Sequence, residues 1–75
     1  MDFKIIFGER VAKQRKTLCL TQQQLGDMVG LTKQAINDIE HGRRNTLVPK
    51  AVLIAKSLNT TVEYLAGATD DPKRY

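Results

Sequence analysis

Hydrophobic residues recur along the chain at helical spacing in five short segments. Phe7, Val11 and Leu18 stand among lysines, arginines and glutamines, which predicts a first amphipathic helix over residues ~4–17, with Gly8 weakening its first turn. Thr21-Gln22-Gln23-Gln24 has the form of a capping box, in which the Thr21 hydroxyl accepts from the Gln24 amide and the Gln24 side chain reaches back. Leu20 and Leu25 flank it as a hydrophobic staple, so a second helix starts at Gln22, carries Leu25, Met28 and Val29 on one face, and stops at Gly30. A second staple, Leu31 with Ile36 around the cap Thr32, opens a third helix that runs to His41 and ends at Gly42. Leu47, Ala51, Ile54, Ala55 and Leu58 stripe a fourth helix, with Thr46 as its cap, Pro49 in its first turn and Asn59 as a left-handed terminator. Thr60-Thr61-Val62-Glu63 then opens a short fifth helix through Leu65 and Ala66, closed by Gly67. Alternating β-branched runs are absent. The pattern therefore predicts an all-α bundle of five helices in one domain, residues 4–67, followed by a polar tail, residues 68–75, that either frays or leads into a further segment.

Composition narrows what such a bundle does. A chain of 75 residues supplies one core and no deep catalytic cleft beside it. No apolar run approaches the ~18 residues of a membrane span, and Met1-Asp2-Phe3-Lys4 does not open a secretory leader. Cys19 is the single cysteine and has no disulfide or metal partner in its own chain, which fits a reducing, cytoplasmic setting. The single histidine, His41, precedes a helix-ending glycine, where it hydrogen-bonds the last carbonyls more readily than it performs chemistry. No catalytic, metal or cofactor site is expected, and an enzyme is not. The net charge of +4 is uneven: residues 1–50 hold nine Lys/Arg against five Asp/Glu, while residues 51–75 hold three of each. A basic excess in the first two thirds suits nucleic acid, although a solvated surface explains a charge of this size as well. With 5% aromatic residues, platforms for stacking single-stranded bases are scarce.

The informative stretch is Thr21–His41. Two short helices joined by a tight glycine-containing turn match the helix-turn-helix motif, whose second helix enters the DNA major groove. Gly26 is small where the two helices approach, Gly30 follows four residues later in the turn, and Ile36 and Ile39 are spaced for an inner face. From Phe7 to Gly67 the sequence resembles the Cro and phage-repressor (Xre-type) helix-turn-helix domains. The resemblance rests on Arg15, Thr21-Gln22, Leu25, Gly30, Thr32, Ile36, Ile39-Glu40, Gly42, Arg44-Asn45, Ala55, Leu58, Val62 and Leu65. The chain departs from the pattern at Gly26, where alanine is usual, at Thr46, where proline is common, and at Asn59, where glycine is common.

This resemblance implies a lambda-repressor-like fold and a sequence-specific regulator of transcription, a repressor that reads a pseudo-palindromic operator in double-stranded DNA. The outward face of the third helix holds Lys33, Gln34, Asn37 and Asp38, with Ala35 beside them. Gln pairs with adenine, Lys donates to guanine, and an alanine methyl meets the thymine methyl. Lys33, Gln34, Ala35 and Asp38 are thereby implied to face base edges, and Gln22, Thr32, Asn37, Arg43, Arg44 and Asn45 to face phosphates, with Lys13 and Lys16 as weaker candidates. Arg15 and Glu40 match a structural ion pair that joins the first helix to the recognition helix. A homodimer is expected, its contact near Leu47, Val62 and Tyr64, with Leu53 and Val48 lying off the apolar stripe. The alternative is an antitoxin-like protein that binds a partner protein as well as DNA.

Overall fold

The computed structural model describes residues 2–73. Its helices are α1 (Phe3–Thr17), α2 (Gln22–Val29), α3 (Lys33–Glu40), α4 (Val48–Ser57) and α5 (Val62–Leu65), and the described residues contain no strand. They pack as a closed ring: α1 lies on α3 and α5, α2 on α3 and α4, and α4 on α5. Phe7, Val11, Leu25, Val29, Ile36, Ile39, Ile54, Leu58, Tyr64 and Leu65 meet in one cluster at its centre. Each large apolar side chain so buried contributes about 1.5–3 kcal/mol of transfer free energy.

The helix starts follow from their caps. Asp2 caps α1 by accepting from the Lys4 amide at 2.9 Å. The box at Thr21 closes in both directions, with Gln24 N to Thr21 Oγ1 at 3.0 Å and Thr21 N to Gln24 Oε1 at 2.8 Å. Thr32 caps α3 through the Ala35 amide, and Thr61, one residue later than the spacing suggested, caps α5 through the Tyr64 amide. Thr46 does not cap α4: that helix begins after Leu47 with Pro49 in its first turn, and the buried Thr46 hydroxyl has no hydrogen-bond partner among the described residues.

All five helices end in the same way. A left-handed residue follows each, namely Cys19 (φ 58°), Gly30 (φ 74°), Gly42 (φ 71°), Asn59 (φ 54°) and Gly67 (φ 84°). The next amide then reaches back over the helix end, as Leu20 does to Arg15 O at 3.1 Å and Thr60 to Ala55 O at 2.9 Å.

Several residues depart from the sequence expectation. Leu18, Met28 and Leu47 are exposed rather than packed: Leu18 is already the C-cap of α1, Met28 lies on the flank of a two-turn helix, and Leu47 precedes α4. Gly8 is not a weak point but a point of contact, since a Cβ there would lie 2.1 Å from the Ile39 carbonyl oxygen and 2.8 Å from that of Glu40. Only a residue without a side chain lets α1 rest its backbone on the end of α3. The described part of the tail is hydrogen-bonded to the domain. Arg10 donates to Tyr64 O at 3.0 Å, to Thr69 O at 2.6 Å and to Asp70 Oδ1 at 3.0 Å, and Thr60 Oγ1 donates to Pro72 O at 2.7 Å. Residues 74–75 lie outside the described part.

Candidate nucleic-acid interface

A buried polar joint holds α3 at a set angle to the rest of the domain. Arg15, near the end of α1, donates through Nε to Glu40 Oε2 at 2.6 Å and through Nη2 to Glu40 Oε1 at 3.0 Å, a two-point contact that only a guanidinium can make with a carboxylate. Its Nη1 donates to Leu20 O at 2.7 Å, and Gln22 Nε2 adds a bond to Glu40 Oε1 at 3.1 Å. The ends of α1 and α3, the loop between α1 and α2, and the first residue of α2 thus converge on one ion pair. Both charged side chains are nearly covered. Burial at this level makes the pair more important for orientation than for net stability.

The turn between α2 and α3 is fastened from two sides. Gly26 brings the α2 backbone so near Leu31 that an added Cβ would lie 2.4 Å from its carbonyl oxygen. At the end of α2 the Lys50 ammonium, reaching from α4, donates to Val29 O at 2.6 Å, where a cation complements the negative end of the helix dipole. That contact has no local signature in the sequence, because its partners are 21 residues apart.

With the inner face of α3 buried through Ile36 and Ile39, the opposite face carries Lys33 and Gln34, both exposed, and Asn37 and Asp38, both half-buried. These four share one side of the helix, as the spacing predicted. Ala35 does not: it is 6% exposed and cannot present its methyl to a base in this conformation. The side chains of the face are linked to one another. Gln34 Nε2 donates to Asp38 Oδ1 at 3.0 Å, Arg43 Nε donates to the same oxygen at 3.2 Å, and Arg43 Nη2 donates to Asn37 Oδ1 at 2.7 Å. The Gln34–Asp38 bond is readable as an i, i+4 pair, whereas the arginine arrives only because the turn at Gly42 folds the chain back. Arg44 and Asn45 are exposed in the loop that follows, and Arg44 has no hydrogen bond or ion pair among the described residues. His41 Nδ1 donates to Asn37 O at 2.8 Å, as expected of a histidine at a helix end.

Of the remaining sequence candidates, Thr32 uses its hydroxyl as the cap of α3 and stays exposed. Gln22, half-buried as the first residue of α2, commits its side-chain nitrogen to Glu40. Tyr64, expected at a dimer contact, is 3% exposed, with the Arg10 guanidinium 4.5 Å from its ring centroid. Val62 packs against the core as a half-buried residue. Leu47 is 79% exposed and continues into Val48, Val52 and Leu53, all exposed as well. No group of side chains among the described residues could hold a metal ion, and none of the helices is long and apolar enough to cross a membrane.

Comparison with known proteins agrees with this arrangement. The helix-turn-helix family model matches residues 11–65. The chain is 37% identical over 65 residues to the control protein C.SmaI of Serratia marcescens, spanning 87% of this chain and 77% of that protein. Among solved structures, the restriction-modification controller protein C.AhdI of Aeromonas hydrophila superposes with a TM-score of 0.78 at 26% identity, covering 83% of this chain and 94% of that one. The P22 c2 repressor, solved in complex with a synthetic operator, superposes with a TM-score of 0.80 at 30% identity, covering 84% and 96% of the two chains. The chain belongs to the helix-turn-helix family of the Cro and phage-repressor type.

Proposed function

We propose that this helix-turn-helix transcriptional regulator acts as a repressor that lays α3 in the major groove of double-stranded DNA. The observation that carries the reading is the exposed polar face of α3, set on a buried joint that fixes its angle to α1 and α2. Lys33 and Gln34 read base edges, while Arg43, Arg44, Asn45, Asn37, Thr32 and the amide end of α2 at Gln22 hold phosphates. The operator complex of the similar P22 c2 repressor supports the same use of the fold. One short recognition helix covers too few base pairs to discriminate well, so the active form is a homodimer that reads two half-sites about 34 Å apart. The exposed run Leu47, Val48, Val52 and Leu53 supports a contact there between copies, with Val62 at its margin and Tyr64 withdrawn from it. No observation favours the antitoxin-like alternative.

Selection from a random DNA library, followed by footprinting of the recovered site, tests the reading. A pseudo-palindrome with cooperative occupancy of its halves is expected. Recovery of sequences without a shared site would refute sequence-specific binding, and full-affinity occupancy of one half-site by a monomer would refute the dimer.

A further inference from the structure

The outward residues of α3 form a chain of contacts with a direction. Arg43 holds the Asp38 carboxylate through Nε and Nη2, both 3.2 Å from Oδ1, and braces Asn37 at 2.7 Å. The Asp38 side chain is 31% exposed and that of Arg43 55% exposed. The carboxylate is therefore anchored, and the same oxygen receives Gln34 Nε2 at 3.0 Å.

An ionised carboxylate only accepts hydrogen bonds. The Gln34 carboxamide facing it has one favourable orientation, nitrogen toward Asp38 and oxygen on the far side, because a half-turn would set oxygen against oxygen. We propose that Asp38 is a specificity-determining positioning residue: clamped by Arg43, it locks the flip state of Gln34, which then offers the groove one acceptor and one remaining N–H. This inference rests on the reading that α3 enters the major groove.

The consequence is a choice between purines. Adenine presents a donor (N6–H) beside an acceptor (N7), whereas guanine presents two acceptors, O6 and N7. A carboxamide held as oxygen plus one N–H matches adenine at both points and meets guanine with oxygen against oxygen at one of them. A carboxamide free to flip can turn both of its N–H groups toward guanine. Asp38 thus makes Gln34 an adenine reader without touching the base.

The test is selection from a random operator library by the full chain, with the bound fraction sequenced for wild type, Gln34→Ala, Asp38→Ala, Asp38→Asn and the Gln34→Ala/Asp38→Ala double variant. Thermal melting of each variant monitors folding, and Asp38→Asn serves should Asp38→Ala not fold. The pair read by Gln34 is the one whose preference Gln34→Ala removes. Bidentate discrimination there is roughly five- to hundredfold in wild type. Asp38→Ala and Asp38→Asn, whose amide donates as well as accepts, are expected to lower the adenine-over-guanine preference at that pair by about threefold or more. Other positions stay unchanged, and the double variant matches Gln34→Ala. A changed preference at a different pair, additive with Gln34→Ala, would show that Asp38 reads a base itself and overturn the proposal. So would unchanged preferences in both Asp38 variants, or a Gln34→Ala variant that loses no pair. A wild type that selects no site at all would instead overturn the DNA-reading function on which the inference stands.

Discussion

At the scale of single residues, the contacts that matter most are those with no low-cost replacement. Glu40 receives three side-chain hydrogen bonds from Arg15 and Gln22 in a nearly covered site, so removing one member of the ion pair strands the other charge. Arg15→Ala and Glu40→Ala should each destabilise the domain by roughly 3–5 kcal/mol. Their double replacement should cost less than the sum, because no charge is then left unpaired. Urea unfolding measures all three, and single losses below about 1 kcal/mol would mean that water replaces the partner. Cys19 makes the opposite case. It is an exposed L residue at φ 58°, where its Cβ crowds the following carbonyl. Cys19→Gly should raise stability by about 0.5–1 kcal/mol, after allowing for the greater freedom of glycine in the unfolded chain. Asn59→Gly should gain less, since asparagine tolerates the left-handed region; equal gains at both sites in thermal melts would refute that distinction.

Helices α1, α2 and α3 are short enough that their mutual distance depends on which residues lack a side chain. Gly8 and Gly26 sit where backbone meets backbone, and alanine at either would place its Cβ within 2.5 Å of a carbonyl oxygen. Helix propensity alone favours Gly26→Ala by about 1 kcal/mol. The structure reverses the sign: overpacking against backbone should make Gly8→Ala and Gly26→Ala net destabilising, by about 1–3 kcal/mol. A Gly26→Ala variant that melts higher than the parent would show that the turn at Leu31 can yield. The ends of the elements obey a second rule. Carbonyls left over at helix ends are taken up by long polar side chains from neighbouring helices, Lys50 at Val29, Gln14 at Leu58 and Arg10 at Tyr64, while Arg15 reaches forward from α1 itself to the Leu20 carbonyl. These fasteners tie α1 to α4 and α5, and α4 to α2.

Taken whole, the molecule concentrates its readable chemistry on one side of α3, with Arg43, Arg44 and Asn45 in the loop beyond it. Arg44→Ala should weaken binding to all DNA sequences alike and lower the slope of log affinity against log salt by about one, with base preferences unchanged. A slope equal to that of the parent would place Arg44 off the phosphates. The start of α2 and the ends of α2 to α5 were legible in the sequence, because capping residues and left-handed terminators act within a few residues of where they stand. The polar face of α3 was legible for the same local reason, and Arg15 with Glu40 was legible only through resemblance. Ala35 and Tyr64 were misassigned, since burial depends on which helix arrives from elsewhere in the chain: Tyr64 is covered by Arg10, 54 residues away. Local hydrogen bonding and hydrophobic periodicity determined the elements from the sequence. The distances between them, and therefore which polar groups meet at Glu40, Asp38 and Val29, were decided only by tertiary packing, because side chains remote in sequence become partners when backbones approach as closely as Gly8 and Gly26 allow.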